Sequence, residues 1–308
     1  MRDIFSEGLL YLDLLEIYGS SYSVAELCGV AQSNVFRGAN ACSKLLNLGL
    51  KKDRAAGRYE IVRNQDVQRD LRRLNQRLRA RENGQLRVVG PVRAMPDQLP
   101  IKQSSLLRAL PDRWADQRMS LSYLERGLLD LVIMPSWQLP EDIPWPQRAR
   151  RADLFLPAQP CVFTELAPWP LILLARSGAV SSSASGPLLT DQKFPLSILD
   201  HLPISAEQLL FIESQEQLLE ALCDHPSACL LTTPPEAQHL LALDDRPSLE
   251  RVSWEEGPRH PALLLFTLPN LVNEPLHQEL TSLLRQHAVQ LATQAELALK
   301  CVCSRPAA

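Results

Sequence analysis

The prolines divide this chain into two parts. All 24 prolines lie at or beyond Pro91, whereas eight of the twelve glycines fall within residues 1–90. Such a change in composition marks a candidate domain boundary, so we expect the chain to divide near residue 90. A chain of 308 residues is long enough for two or three compact domains.

Charge changes at almost the same place. Residues 1–93 hold 16 Lys and Arg against 10 Asp and Glu, whereas the rest of the chain holds 16 against 25. The basic excess is concentrated in residues 51–93, which carry 13 basic and 5 acidic side chains. Such a segment is typical of proteins that contact nucleic acid, and a solvated charged helix fits the charge equally well.

Three helices are predicted in the first fifty residues. An apolar run between Ser6 and Gly19 predicts the first helix. A capping box of Ser23 and Glu26 predicts the start of a second helix, which Gly29 ends. A third helix is predicted from residue 32 to residue 49, where a glycine suits a left-handed cap.

The segment that follows, residues 50–62, predicts two short strands around a turn at 55–57. Three helices and a hairpin make a winged helix-turn-helix, whose third helix enters the major groove and whose wing contacts flanking phosphates. Gln and Asn suit adenine and Arg suits guanine or a phosphate, although the same residue types are common at any solvated helix start. The predicted DNA-contacting residues are Gln32, Ser33, Asn34 and Arg37 on the helix and Lys51, Lys52, Arg54 and Arg58 on the wing.

Residues 65–81 predict a further helix with one narrow apolar stripe. Its members are spaced four, three and four residues apart, which is the pattern of a coiled-coil seam. Six arginines share this segment, so we expect the remaining surface to be too polar to pack into a core. We predict that the stripe pairs with a second copy of the chain, the alternative being that it packs against the chain's own body. The predicted seam consists of Val67, Leu71, Leu74 and Leu78.

Residues 19–37, GSSYSVAELCGVAQSNVFR, resemble the helix-turn-helix pattern of the LysR-type transcriptional regulators, G-S-F-T-x-A-A-E-x-L-x-V-S-Q-P-A-V-S-R. The two align without a gap. The matching residues are Gly19, Ser20, Ala25, Glu26, Val30, Gln32, Val35 and Arg37. Further along, residues 124–133, LERGLLDLVI, resemble the same family's L-x-x-G-x-L-D-L-A-I signature.

The resemblance implies a multidomain α/β protein over nearly the whole chain. Its parts are expected to be a winged helix-turn-helix at 1–62, a dimerising linker helix at 63–85 and a two-lobed effector-binding domain at 86–308. The first lobe is expected at about 86–165 and 263–308, and the second at about 166–262. The periplasmic-binding-protein-like lobes would enclose an effector crevice, lined by Arg93, Met134, Ser136, Thr232 and Thr233.

Arg93 is the most interpretable of these residues. A guanidinium can hold a carboxylate or phosphate effector in a bidentate fork, although a surface charge near the linker is the simpler reading. The resemblance implies promoter DNA, further copies of the chain in a dimer or a tetramer, and a small-molecule effector as partners, with RNA polymerase as a further candidate.

Two departures from the family pattern leave alternatives open. Ala31 replaces the usual capping serine before the third helix, which favours a binding-protein-like sensor whose N-terminal unit contacts protein rather than DNA. Only residues 119–122 are left to stand for the family's second strand, which favours a degenerate regulator without effector sensing.

Enzyme chemistry has little support. The chain lacks a G-x-S-x-G elbow, a phosphate-binding G-x-x-x-x-G-K-[ST] loop and a G-x-G-x-x-G fingerprint. All six histidines lie after residue 200 without zinc-site spacing, so no metal site and no cofactor is predicted. Cys301 and Cys303 have the spacing to bind a soft metal or respond to oxidants, but two thiols alone are more often incidental.

The remaining features indicate a cytoplasmic protein without a membrane partner. The seven scattered cysteines fit reduced thiols better than a disulfide framework. The longest apolar stretches are far shorter than a membrane-spanning helix, and acidic residues interrupt the N-terminal apolar run in a way that a signal peptide does not.

Overall fold

The structure is a computed structural model. It describes residues 4–53, 58–81, 86–90, 117–137, 161–169, 171–177, 186–191, 206–212, 215–241, 249–252 and 261–303. The predicted hairpin turn at 55–57 lies outside these ranges.

Three helices and a hairpin form the N-terminal unit. The helices are α1 (Ile4–Tyr18), α2 (Ser21–Cys28) and α3 (Gln32–Leu45). The antiparallel hairpin consists of β1 (Leu50–Asp53) and β2 (Arg58–Ile61), with Leu50 opposite Ile61. This order of elements is that of a winged helix-turn-helix. We call this unit the head and the hairpin the wing.

Helix α1 lies at the centre of the head. A Cβ atom placed on Gly8 would come within 2.5 Å of the Cys42 Cβ, so the glycine lets α1 and α3 approach closely. Leu12, Leu14 and Ile17 are all buried although they point in different directions around the helix. The helix is therefore enclosed on several sides, which is typical of a core helix rather than an amphipathic surface helix.

The second helix begins earlier than the sequence predicts. Ser20 is its N-cap, and the Ser20 hydroxyl accepts a hydrogen bond from the Ser23 backbone N–H at 3.4 Å. The capping box predicted at Ser23 and Glu26 is therefore wrong. Gly29 ends the helix at a positive φ of 62°, as predicted.

The predicted end of the third helix is also wrong. Helix α3 stops at Leu45, and Asn47 adopts the left-handed conformation with a φ of 51°. Asparagine is one of the few residues besides glycine that takes this conformation readily. Gly49 therefore precedes β1 instead of capping the helix.

Helix α4 (Gln65–Arg79) follows the head, within the predicted range. Beyond it come the short strand β3 (Val88–Val89), helix α5 (Gln117–Glu125) and strand β4 (Leu131–Trp137). The helix, glycine turn and strand predicted around Gly127 are confirmed. Residues 119–122, predicted as the remnant of a strand, form part of α5 instead.

The first lobe is built on a four-stranded sheet in the order β3, β4, β11, β5. Strands β5 (Val162–Pro168) and β11 (Pro261–Thr267) complete it, and β11 runs antiparallel to both neighbours. The long helix α8 (Pro275–Cys303) packs against β5. Helices α5 and α8 are assigned to this lobe.

The second lobe is built on a five-stranded sheet in the order β10, β6, β9, β7, β8. Its strands are β6 (Ile172–Arg176), β7 (Leu188–Asp191), β8 (Leu209–Ile212), β9 (Cys229–Thr232) and β10 (Leu249–Val252), and its helices are α6 (Gln215–Asp224) and α7 (Pro234–Leu241). Strands β7, β8 and β9 are parallel, so their carboxyl ends meet at one edge. The mixed α/β architecture predicted from the sequence is confirmed.

The hydrophobic cores divide the molecule differently from the sheets. One continuous cluster joins buried residues of the head, such as Leu15, to buried residues of the first lobe, such as Phe266 and Leu284. The second lobe has clusters of its own on each face of its sheet, around Leu174 and Leu231. The head therefore shares a core with the first lobe and not with the second.

None of the helices in the described ranges has the length and the apolar character that crossing a membrane would require.

Candidate nucleic-acid interface and linker helix

The start of helix α3 presents polar side chains to solvent. Gln32, Ser33 and Arg37 are exposed and Asn34 is half-buried. Ala31 at the N-cap makes no side-chain cap, as predicted from the sequence. The exposed first turn places polar side chains where base contacts are made in helix-turn-helix complexes.

Gln32 also has a structural contact. Its side-chain Nε2 donates a hydrogen bond to the Ser21 hydroxyl at 2.8 Å. The bond ties the first residue of α3 to the first residue of α2, and so fixes the angle between the two helices. The amide oxygen of Gln32 is not used by this bond and keeps its capacity to accept.

Arg37 lies along the same exposed face of α3. Its Nη2 donates to Asn34 Oδ1 at 2.5 Å, and its Nε donates to the Ser33 carbonyl at 3.4 Å. These bonds hold the guanidinium along the first turn of the helix. A guanidinium held there is oriented before it meets a base or a phosphate, which lowers the entropic cost of binding.

The wing is attached to α3 through aromatic residues. The Phe36 and Tyr59 rings meet edge to face at a centroid distance of 6.1 Å. Lys52 Nζ lies 5.3 Å from the centroid of the Tyr59 ring, a cation–π contact that holds this ammonium against β2. The wing and α3 are therefore fixed relative to each other.

Lys51, the other described lysine of the wing, has an acidic residue across the hairpin. It lies opposite Glu60, and Arg58 is paired in register with Asp53, with the Arg58 side chain outside the described part. Opposite charges at directly paired positions attract each other, so part of the positive charge is balanced within the wing. Arg54 lies outside the described residues.

Helix α4 exposes the apolar stripe that the sequence predicts. Val67 is 40% exposed, Leu74 is 54% exposed and Leu78 is 49% exposed, and Leu71 is half-buried. We call these residues the seam. Leucine side chains this exposed on one face leave an unpartnered apolar surface on the single chain.

The opposite face of α4 is polar and buried, and this part of the sequence interpretation is wrong. Gln68, Arg72 and Gln76 are almost completely inaccessible to solvent. Gln76 Nε2 donates to the Leu129 carbonyl at 2.8 Å. Part of the arginine-rich surface, expected to be too polar for a core, therefore packs against the chain's own body.

Buried charges compensate one another along this face. Arg72 Nε donates to Asp13 Oδ1 at 2.8 Å, and Arg72 Nη2 donates to Glu16 Oε2. Arg87 Nη1 donates to the second oxygen of Asp13, Oδ2, at 2.7 Å. Asp13 thus lies between two guanidiniums, one from α4 and one from the residue before β3.

A second group of charges lies at the C-terminal end of α4. Arg79 makes a bidentate contact with Asp130, with Nε to Oδ2 at 2.8 Å and Nη2 to Oδ1 at 2.7 Å. Asp130 Oδ2 also accepts from the Arg87 backbone N–H at 2.8 Å. Arg126 forms an ion pair with Glu16. We call Asp13, Glu16, Arg72, Arg79, Arg87 and Asp130 the ion network.

The environment favours the charged forms of Asp13 and Arg79, whereas burial and the nearby Arg79 lower the pKa of Arg87. Burial alone would raise the pKa of Asp13, but Arg72 and Arg87 outweigh it and the pKa lies below its ordinary value. Burial would lower the pKa of Arg79, but Asp130 outweighs it and the pKa is raised. The Asp13 carboxylate and the Arg79 guanidinium therefore stay ionised.

Sequence reasoning missed the ion network because its members are far apart in the chain. Arg72 and Asp13 are separated by 59 residues, and Arg79 and Asp130 by 51. The available signals were acidic residues in the middle of the apolar α1 and the Leu-Asp-Leu sequence at 129–131. A carboxylate at such a position needs a buried partner.

The predicted effector residues fall in two sheets. Met134 is buried within β4, and Ser136 lies on the same strand opposite Ala262, with its side chain outside the described part. Thr232 and Thr233 are buried at the end of β9. Arg93 lies outside the described residues.

The described cysteines are free thiols, and several are buried. Burial raises the pKa of Cys42 to about 11 and that of Cys161 to about 12. Thiols with such pKa values are poor nucleophiles at neutral pH. Cys301 and Cys303 lie in the last turn of α8, with their side chains outside the described part. Within the described ranges no cluster of three or more metal-ligating side chains occurs.

No known family model and no curated protein sequence matches the chain. Among solved structures, a full-length OxyR variant from Pseudomonas aeruginosa is 12% identical, with 94% of this chain and 93% of that chain covered and a TM-score of 0.45. An OxyR mutant from Corynebacterium glutamicum is 14% identical, with 94% of each chain covered and a TM-score of 0.43.

CbnR, a LysR family transcriptional regulator, is 16% identical, with 91% of this chain and 98% of that chain covered and a TM-score of 0.37. At these identities and TM-scores the likeness assigns neither a family nor a function to this chain.

Proposed function

We propose that the chain is a homodimeric DNA-binding transcriptional regulator of the LysR type, coupled to a small-molecule effector. The observation that carries the proposal is a winged helix-turn-helix whose third helix exposes Gln32, Ser33 and Arg37, followed directly by a helix with an exposed leucine seam. The proposed parts are the head at 1–62, the linker helix at 63–85 and the effector-binding body at 86–308.

DNA is the ligand that suits the head. The polar first turn of α3 has the residue types that read base edges in the major groove. The wing carries two exposed lysines, Lys51 and Lys52, on its first strand. Lysine side chains there would contact phosphates and fix the register of α3 without reading sequence.

A second copy of the chain is the occupant that suits the seam. The charged residues beside the seam change sign along α4. Asp66 and Asp70 lie toward the N-terminus of the helix, and Arg77 and Arg81 lie toward its C-terminus. Spacings of four, seven and four residues put all four on one exposed flank. An antiparallel pair would therefore place Asp70 of one protomer beside Arg77 of its partner.

Antiparallel pairing also aligns the leucines. If Leu71 of one protomer packs against Leu74 of the other, then Asp70 and Arg77 fall at facing positions on the same flank. A parallel pair would bring acidic ends together and basic ends together. Charge complementarity thus supports a two-fold antiparallel dimer that carries two heads, each of which would contact one half-site.

The proposed effector site lies between the lobes, where strand ends meet. On the second lobe, Thr232 and Thr233 end β9, and Thr190 on the neighbouring parallel strand β7 has a buried hydroxyl without a hydrogen-bond partner. Met134 and Ser136, with Arg93, would supply the other side. A promoter-bound dimer would act on RNA polymerase.

A second candidate is a regulator that keeps the head and the dimer without sensing an effector. The helical conformation of residues 119–122, where the family pattern has a strand, favours it. The two candidates agree on DNA binding and differ in whether a small molecule changes it.

The experiment is binding of purified variants to DNA from upstream of the protein's own gene and to unrelated DNA of equal length. We expect Arg37→Ala to weaken binding to the specific site by about 1–3 kcal/mol. Lys51→Ala and Arg58→Ala are expected to weaken binding to all sequences and to reduce the salt slope by about 1.

The matched control is Arg251→Ala, which removes an exposed arginine from strand β10 of the second lobe. Its binding should equal that of the wild type. Unchanged binding in Arg37→Ala, Lys51→Ala and Arg58→Ala together would contradict the proposed DNA-binding face.

A further inference from the structure

We propose that the ion network locks the head, the linker helix and the first lobe into one rigid body, so that a movement of the first lobe repositions the DNA-binding helices directly. The regulatory consequence rests on the function proposed above. The mechanical part stands on the geometry alone and is tested separately.

The ion network takes its members from three separate segments. Asp13 and Glu16 come from α1 in the head, and Arg72 and Arg79 come from α4. The first lobe supplies Arg87 and Asp130. Three carboxylates face three largely or fully buried guanidiniums, and the partly exposed Arg126 adds a fourth guanidinium beside Glu16.

Asp13 is the residue at which the three segments meet. One of its oxygens accepts from Arg72 of α4 and the other accepts from Arg87 of the first lobe. If the head moved away from the lobe, this carboxylate would be left buried beside broken contacts or would have to be hydrated. Either outcome is costly, because unpaired buried charges are strongly disfavoured.

Directional contacts fix the helix more precisely than apolar packing would. The bidentate Arg79–Asp130 contact holds a planar guanidinium in one orientation, and Asp130 is itself held by the Arg87 backbone N–H. An apolar interface tolerates sliding between alternative packings. A network of paired charges has one arrangement in which every group is satisfied.

The turn beneath α4 shows how closely the helix lies on the first lobe. Gly127 has a φ of 75°, and a Cβ atom placed on it would come within 2.9 Å of the Arg72 Cβ. Gln76 is fully buried and donates to the Leu129 carbonyl. The turn continues directly into β4, which carries the proposed effector residue Met134.

The second lobe is outside this rigid body. Its two hydrophobic clusters are separate from the cluster that joins head and first lobe. Helix α8 contacts both β5 of the first lobe and α7 of the second. An effector that changes the angle between the lobes would thus turn the first lobe, α4 and the head together, in contrast to a head that swings freely on its linker.

The mechanical part is tested by hydrogen exchange of the full-length protein. In the wild type, amides of α1 and amides of β4 should exchange within about threefold of each other and respond alike to denaturant, because they open together. Arg79→Lys keeps the charge but loses the bidentate fork. In that variant α1 should exchange about tenfold or more faster than β4.

Arg69→Lys is the control, since Arg69 is exposed on the same helix. It should leave both rates unchanged. If α1 already exchanged more than about tenfold faster than β4 in the wild type, the head would open independently and the proposal would be wrong. Equal rates in wild type and in Arg79→Lys would assign the rigidity to apolar packing and also overturn the role of the network.

The regulatory part is tested with the shortest stretch of upstream DNA that the wild type binds. Inserting half a helical turn, about 5 base pairs, between its half-sites should weaken wild-type binding more than about tenfold. Arg79→Lys should lose less than about threefold while keeping the wild-type affinity for one isolated half-site. A merely destabilised protein would lose affinity for both DNAs alike.

An equal loss in wild type and variant would overturn the regulatory part. A wild type that binds no DNA would refute the proposed function, and hydrogen exchange would still decide whether the network holds the head on the first lobe.

Discussion

The exposure of the two faces of helix α4 to solvent is the reverse of what their hydropathy would suggest. The face that carries Leu74 and Leu78 is about half exposed, whereas the face that carries Arg72 and Gln76 is buried. The sequence pattern alone would predict that the leucine face is buried and the arginine face exposed. The arginine face is buried because Asp13, Glu16 and Asp130 form ion pairs with its arginines.

The difference teaches that burial follows the available partners. A charged side chain enters a protein interior when a carboxylate there would otherwise be unpaired, and an apolar stripe stays at the surface when the chain offers it no counterpart. The seam therefore stays exposed on the single chain, where the proposed dimer would cover it, and the polar face contacts both the head and the first lobe.

The largest effect is expected from removing a buried charge. Arg72→Met should lower the free energy of unfolding by about 3–5 kcal/mol, because it removes one guanidinium from each of two buried carboxylates, Asp13 and Glu16. Urea unfolding at a fixed protein concentration measures the change. Arg69→Met, an exposed arginine on the same helix, should change it by no more than about 0.5 kcal/mol. Equal effects of the two substitutions would contradict the claim that the buried face of α4 contributes more to stability than its exposed surface.

The next effect concerns the seam. Leu74→Asp should convert the dimer to a monomer, because two half-exposed leucines lose about 1.5–3 kcal/mol of apolar burial between them and the new charges repel. Sedimentation equilibrium gives the molar mass directly. A dimer that survives Leu74→Asp would move the interface elsewhere on the chain.

Acid should lower the stability that the buried polar face of α4 contributes before it affects the contribution of the seam. The folded pKa of Asp13 lies below the ordinary value of 3.8, so the unfolded chain binds its proton first as the pH falls. The stability due to Asp13 is complete above that value and is lost as the pH falls through the folded pKa. Urea midpoints measured at decreasing pH should fall more steeply in the wild type than in Asp13→Asn.

Glu220→Gln, at an exposed acid on α6, is the control for the acid series and should keep the wild-type slope. A wild-type midpoint that does not change below pH 3.8 would contradict a charged Asp13 in the folded state.

The smallest effect is expected for the seam within a single protomer. In the monomeric Leu74→Asp background, Leu78→Gln should change the free energy of unfolding by no more than about 0.5 kcal/mol, because Leu78 is half exposed there. Thermal unfolding of the two proteins measures it. A loss several times larger would mean that the seam packs on its own chain.

The sequence predicts the local elements well where their signals are local. The glycine at 29 ends α2, the lack of a cap at Ala31 is confirmed, and the helix, turn and strand around Gly127 are present. The errors at Ser23 and Gly49 arose because Ser20 and Asn47 perform the same tasks a few residues away. Residues of equivalent chemistry in one turn compete, and only the three-dimensional structure selects between them.

The ion network could not be predicted from local patterns. Asp13 reads as an interruption of an apolar helix, and Arg72 reads as one of many solvated arginines. Their pairing depends on a chain reversal that brings residues 59 positions apart into contact. The effector residues are hard to predict from sequence for the same reason, because Met134 and Thr232 belong to different sheets.

The most direct test is a salt titration of DNA binding by the wild type and by Leu74→Asp, using the upstream duplex and unrelated DNA of equal length. We expect the wild type to bind the upstream duplex selectively, with an affinity that falls steeply with salt. Leu74→Asp should keep the selectivity at one half-site and lose the gain from the second. Wild-type binding that is equal on both DNAs, or absent at low salt, would contradict the account.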